Sequence, residues 1–144
     1  MINLTSLDIT NKNLVIRVDM NVPIRDEIVV DVSRIKACIP TIKFALENNA
    51  KVLLISHLGR PEEGKFEEKF SMKPVAESLS TILNEEVGLI DRLDSEDIFK
   101  SSLSIQILEN IRFFKGEKAN DKDLGNKLAN LGDIYVFDAF GTAH

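Results

Sequence analysis

The 144-residue chain can bury one core and is too short for two; with 44% apolar and 28% charged residues it has the balance of a soluble globular domain. A net charge of −5 argues against a general nucleic-acid binder, which needs a basic face, and the apolar runs are far shorter than a membrane span. Cys38 is alone, so no disulfide framework is possible and a reducing, cytoplasmic setting fits; the thiol lies in a helical apolar pattern and reads as buried and structural.

The first ten residues, MINLTSLDIT, lack a basic segment followed by an apolar one, so no signal peptide is expected. Leu14 to Val18 read as a strand. Asp19, Met20, Asn21, Val22 and Pro23 follow at once, and Pro23 stops the pattern. Ile28 to Val30 suggest a short extended piece. Ile35, Ile39, Ile42 and Leu46 recur at helical spacing, with Asp31 or Ser33 as caps and Asn48 and Asn49 suited to a left-handed exit. Pro40 inside that pattern predicts a kink or two abutting helices.

The run Val52 to Ile55 reads as a buried strand that ends in Ser56, His57, Leu58, Gly59, Arg60 and Pro61. Glu62 to Lys69 read as a solvated loop. Pro74 suits the start of a helix whose face is Val75, Leu79, Ile82 and Leu83. Val87 to Ile90 suggest another strand, and Ser95 caps a short helix. Ile105 to Leu108 form a strand followed by Glu109, Asn110, Ile111, Arg112 and Phe113. A last helix, capped by Asn120 or Asp121, carries Leu124, Leu128 and Leu131 and stops at Gly132. Ile134 to Phe137 form the last strand, and Asp138 to His144 follow it.

Strands alternating with helices predict a three-layer αβα fold with a parallel, Rossmann-like sheet. In such a sheet every strand ends on the same edge, where ligands bind. Asp19, Asn21, His57, Arg60, Arg112 and the segment after residue 137 therefore share one side, as does Arg34 at a helix start. Three guanidiniums gathered in an acidic protein repel one another unless an anion lies between them, and their forks match phosphate and carboxylate oxygens. The edge is read as a site for a small, multiply anionic molecule. The sequence has no GxxxxGK[ST] or GxGxxG loop, no His/Cys cluster at zinc spacing and no evident Ser–His–Asp set. An aspartyl-nucleophile phosphotransferase built on Asp19 is disfavoured, because the motif is D-x-N and no paired carboxylates follow the later strands. A non-catalytic phosphate-binding or receiver-like α/β module is the alternative to an enzyme.

The segments RVDMNVP (17–23), DVSRIKACIPTI (31–42), SHLGRP (56–61), KPVAESL (73–79), ILENIRFFKGE (107–117) and YVFDAFGTAH (135–144) together resemble the N-terminal domain of the phosphoglycerate kinase family. The resemblance covers nearly the whole chain. It implies transfer of a phosphoryl group between 1,3-bisphosphoglycerate and ADP, giving 3-phosphoglycerate and ATP in glycolysis. It further implies that residues 1–144 are part of the acceptor-binding domain, and that Mg-ATP or Mg-ADP is held by a C-terminal domain outside this chain. By resemblance, Asp19, Met20, Asn21, Arg34, His57, Leu58, Gly59, Arg60 and Arg112 touch the substrate. Asp19 and Asn21 meet the carboxylate and hydroxyl end. Arg34 is the catalytic cation that neutralises the phosphoryl in flight, and His57, Arg60 and Arg112 hold the 3-phosphate. A further Arg that the family carries after GTAH has no counterpart here, which marks the chain as a fragment. Three expectations follow: the fragment alone is inactive, it self-associates through an exposed edge at Ile134 to Phe137, and the parent enzyme is a monomer with neither nucleic-acid nor membrane partners.

Overall fold

Five short apolar runs become five parallel strands in the computed structural model, which describes residues 8–62, 64–93, 98–114 and 122–138. The strands are β1 (Asn13–Val18), β4 (Lys51–Ile55), β5 (Val87–Ile90), β6 (Ile105–Leu108) and β7 (Ile134–Asp138), and their order across the sheet is β5-β6-β4-β1-β7. All four pairings are parallel. Central parallel strands are covered on both faces, which is why Leu14, Val15, Ile16 and Val52 to Ile55 read as unbroken apolar runs.

Side chains alternate between the two faces and so divide the core in two. Leu14, Ile16, Val18, Val52, Leu54, Ile105 and Ile107 pack with α1 (Ser33–Glu47) and α2 (Lys73–Leu83). Val15, Leu53, Ile55 and Leu108 pack on the other face with Leu124 and Leu128 of α3 (Lys122–Ala129). This is the predicted αβα sandwich. Each fully buried aliphatic side chain is worth about 1.5–3 kcal/mol relative to exposure, so the two layers together dominate the stability.

The connections fix where a ligand can sit. The chain leaves β4 toward α2 on one face, and leaves β6 toward α3 on the other. β4 and β6 are neighbours, so a crevice opens between their carboxyl ends, at the switch point of the sheet.

Several local expectations change. Ile24–Arg25 (β2) pairs antiparallel with Ile28–Val29 (β3), a hairpin where only one extended piece was expected. Asp26 and Glu27 between them have φ of 53° and 64°, the left-handed pair that a tight hairpin turn requires. Helix α1 runs unbroken through the exposed Pro40 rather than as two helices. Its most buried residues are Ile35, Cys38, Ile42 and Ala45, while Ile39 and Leu46 lie at the flank. Asn49, with φ of 57°, is its left-handed exit. Gly132 does not stop α3, which ends at Ala129; a Cβ there would lie 2.7 Å from the Asn13 carbonyl oxygen, so glycine is needed for close approach to β1. The expected loop after Glu62 contains a 3-10 turn at Glu68–Phe70. The caps expected at Ser95, Asn120 and Asp121, and the segment 139–144, lie outside the described residues.

Candidate anion-binding site

The strand ends deliver their polar residues to one edge, and a chain of hydrogen bonds joins them across it. Asp19 and Asn21 follow β1. The Asp19 carboxylate accepts from the Asn21 main-chain N–H at 3.1 Å and from Arg34 Nη1 at 3.3 Å. Arg34, in the first turn of α1, also donates to the Asn21 carbonyl at 2.8 Å. The Asn21 side-chain oxygen accepts from the Gly59 N–H at 3.0 Å, and the Gly59 carbonyl accepts from Arg112 Nη1 at 3.1 Å. Arg34, Asp19, Asn21, Gly59 and Arg112 thus form one network spanning the loops after β1, β4 and β6.

Each loop is shaped for this by its own residues. Gly59 has φ of +60°, and a Cβ there would lie 2.5 Å from Phe70, so both backbone and space require glycine. Ser56 is fully buried; its Oγ accepts from Met20 N–H at 2.9 Å and its carbonyl accepts from Ile111 N–H at 3.0 Å, which ties β1, β4 and β6 together just below the site. Just before α1, the Asp31 carboxylate accepts from both the hydroxyl and the N–H of Ser33. Those bonds, and then the nearby Arg34 charge, hold its pKa below the usual carboxylate value. Arg34 therefore sits between two anionic carboxylates.

The predicted residues differ in what they can offer. Arg34 and Arg60 are exposed, and His57 and Arg112 are half-buried at the mouth. Asp19 and Asn21 are half-buried beside Arg34. Met20 and Leu58 are 0% and 4% exposed. Their side chains belong to the core, so what these two residues can present to a ligand is main chain. Gly59 likewise can offer only main chain. Sequence reasoning passed over Ser56, Glu109 and Asn110, which are all buried although polar. A polar pair set between an apolar strand and the apolar Ile111 was the available signal.

Chemically, Arg34 pairs with the partly exposed Asp19 carboxylate after β1, while Arg60 and Arg112 follow β4 and β6 at the same end of the parallel sheet. The exposed Arg34–Asp19 pair is worth at most about 1 kcal/mol, so an entering anion can take the guanidinium over at little expense. Guanidinium forks match phosphate and carboxylate oxygens, so the chain is an α/β protein whose cationic switch-point edge is suited to small phosphorylated or carboxylated molecules.

The family model for phosphoglycerate kinase matches residues 4–144, and the chain belongs to the phosphoglycerate kinase family. It is 49% identical over its whole length to a phosphoglycerate kinase of Legionella pneumophila, of which it covers 36%. It is also 49% identical to that of Desulfovibrio desulfuricans, over 96% of this chain and 35% of that protein. The solved phosphoglycerate kinase of Coxiella burnetii superposes with a TM-score of 0.85 at 44% identity, covering 98% of this chain and 36% of that one. That of Pyrococcus horikoshii gives 0.82 at 32% identity, over 100% and 38%. The chain therefore spans little more than a third of these relatives. Family membership sets aside the receiver-like alternative, and no helix among the described residues is long and apolar enough to cross a membrane.

Proposed function

We propose that this edge holds the phosphoglycerate of a phosphoglycerate kinase reaction, and that the residues described here belong to the acceptor-binding N-terminal domain of a longer, cytoplasmic, monomeric enzyme. The observation that carries the reading is the Arg34–Asp19–Asn21–Gly59–Arg112 network, which sets cations at both ends of one crevice. 3-Phosphoglycerate carries an anion at each end. Arg112, Arg60 and His57 take the 3-phosphate, and Asp19 and Asn21 meet the hydroxyl and carboxylate end. Arg34 lies at that same end.

In the transfer, an oxygen of the acceptor carboxylate forms a bond to the γ-phosphorus of ATP as the bond to the ADP oxygen breaks and ADP departs with the electron pair. The reverse reaction makes ATP from 1,3-bisphosphoglycerate. No proton is removed from the acceptor, so no general base is required. Positioning and charge neutralisation supply the catalysis, and Arg34 is the residue placed to neutralise the moving phosphoryl. The Mg-nucleotide is the second substrate and is held by the rest of the enzyme, so the 144-residue chain by itself binds the acceptor without transferring phosphate. β7 is the outer strand on its side of the described sheet and Phe137 is 54% exposed, which favours self-association of this chain, readable by light scattering.

Titration calorimetry with 3-phosphoglycerate, glycerate and glycerol 3-phosphate tests the two-ended reading. The expected result is binding of 3-phosphoglycerate at least tenfold tighter than of either single-anion analogue. Equal affinity for 3-phosphoglycerate and inorganic sulfate would overturn it.

A further inference from the structure

We propose that Asn110 is a positioning residue of this site, fixing the turn at Leu58–Gly59 against Arg112; the inference rests on the reading of the site given above. Asn110 is 0% exposed, and its side chain uses both donors and its acceptor oxygen on three different segments. Its Nδ2 donates to the Leu58 carbonyl at 2.7 Å and to the Phe70 carbonyl at 2.9 Å. Its Oδ1 accepts from the Arg112 N–H at 3.1 Å. One small, planar, uncharged group thereby ties the loop after β4, the turn before α2 and the residue that carries the Arg112 guanidinium.

The geometry has a further support. The buried Glu109 carboxylate accepts from the Asn110 N–H at 3.1 Å, from Met72 N–H at 2.5 Å and from the Ser71 hydroxyl at 2.8 Å. It anchors the start of α2, and with it the Phe70 segment, to the same strand end. Phe70 in turn packs against Gly59, whose N–H and carbonyl are both engaged by site residues. The spacing between Gly59 and Arg112 is therefore set from behind by Asn110 as well as from the front by the Arg112 guanidinium. An anion that bridges the two loops needs that spacing held before it arrives, because positional errors near an ångström are enough to weaken a charge-matched site.

Asn110→Asp keeps shape and acceptor but turns both donors into acceptors facing two carbonyls. Gln106→Met is the control: Gln106 is also buried, on the strand that leads to Asn110, and donates to the Ile98 carbonyl at 2.6 Å, away from the site. Both variants should lose thermal stability. At a temperature where each is folded, Asn110→Asp should bind 3-phosphoglycerate at least tenfold more weakly and Gln106→Met within twofold of the unsubstituted chain. Equal affinities in the two variants would overturn the proposal. A second measurement needs neither a variant nor a ligand. Amide exchange of Gly59 and Arg112 in the unsubstituted chain should be limited by one shared opening, with protection equal within threefold. Protection differing by more than tenfold would overturn the proposal. If the unsubstituted chain fails to bind 3-phosphoglycerate, the functional reading falls and the exchange comparison alone decides the role of Asn110.

Discussion

Arg34 shows how little a residue at this edge has to do with stability. Its side chain is 54% exposed and its ion pair with Asp19 is of the kind worth about 0–1 kcal/mol. In a full-length enzyme, Arg34→Ala should leave the melting temperature within about 2 °C while lowering kcat by roughly 10²–10³, the usual loss when one donor to a developing negative charge is removed. Steady-state kinetics beside calorimetry separates the two; a kcat within threefold would remove Arg34 from the chemistry. The charged members of the site were legible in the sequence because Arg, His and Asp directly after an apolar run have no reason to be buried. Ser56 and Asn110 were not, because their function is to accept and donate to main-chain atoms of segments distant in sequence. A Ser and an Asn at a strand end look the same whether they face water or the interior. Met20 and Leu58 stand inside the same motifs with their side chains in the core, which leaves their main chain to face the edge.

At the scale of elements, two glycines set opposite expectations. Gly125 lies within α3, is exposed, and a Cβ there meets nothing within 4 Å. Gly125→Ala should therefore stabilise by about 0.5–1 kcal/mol through helix propensity. Gly132 precedes β7, and a Cβ there would press on the Asn13 main-chain oxygen, which also accepts from the Asp133 N–H at 2.7 Å. Gly132→Ala should destabilise by about 1–3 kcal/mol, because backbone must move. Urea unfolding of the pair checks both signs. The five strands were legible because each is a short apolar run, too short for a helix and bounded by polar or turn residues. The β2–β3 hairpin was not, because its turn is built on Asp26 and Glu27 and lacks the Asn-Gly or Asp-Gly signal. Gly132 was misread as a helix stop because the need for it arises across the sheet, at β1.

For the whole molecule, the fold and the site are one argument. The opposite departures of the chain from β4 and β6 open the crevice, and the loops that leave those strands carry His57, Arg60 and Arg112 into it. In an acidic chain with a net charge of −5, Arg34, Arg60 and Arg112 at the carboxyl edge of the sheet make a local positive field of the kind that attracts small anions. The family match makes the acceptor-binding role the natural reading of that charge pattern, while strand order alone would have allowed many ligands.

The most direct test is thermal unfolding of this chain with and without 3-phosphoglycerate, beside sulfate and Mg-ATP, followed by circular dichroism because the sequence has no Trp. At about a hundredfold its dissociation constant, a ligand bound only by the folded chain adds about 2.7 kcal/mol, or roughly 5–15 °C in midpoint for a domain of this size. A rise with 3-phosphoglycerate that exceeds the rise with sulfate, and none with Mg-ATP, is the predicted result. Cooperative unfolding at an unchanged midpoint in 3-phosphoglycerate would contradict it.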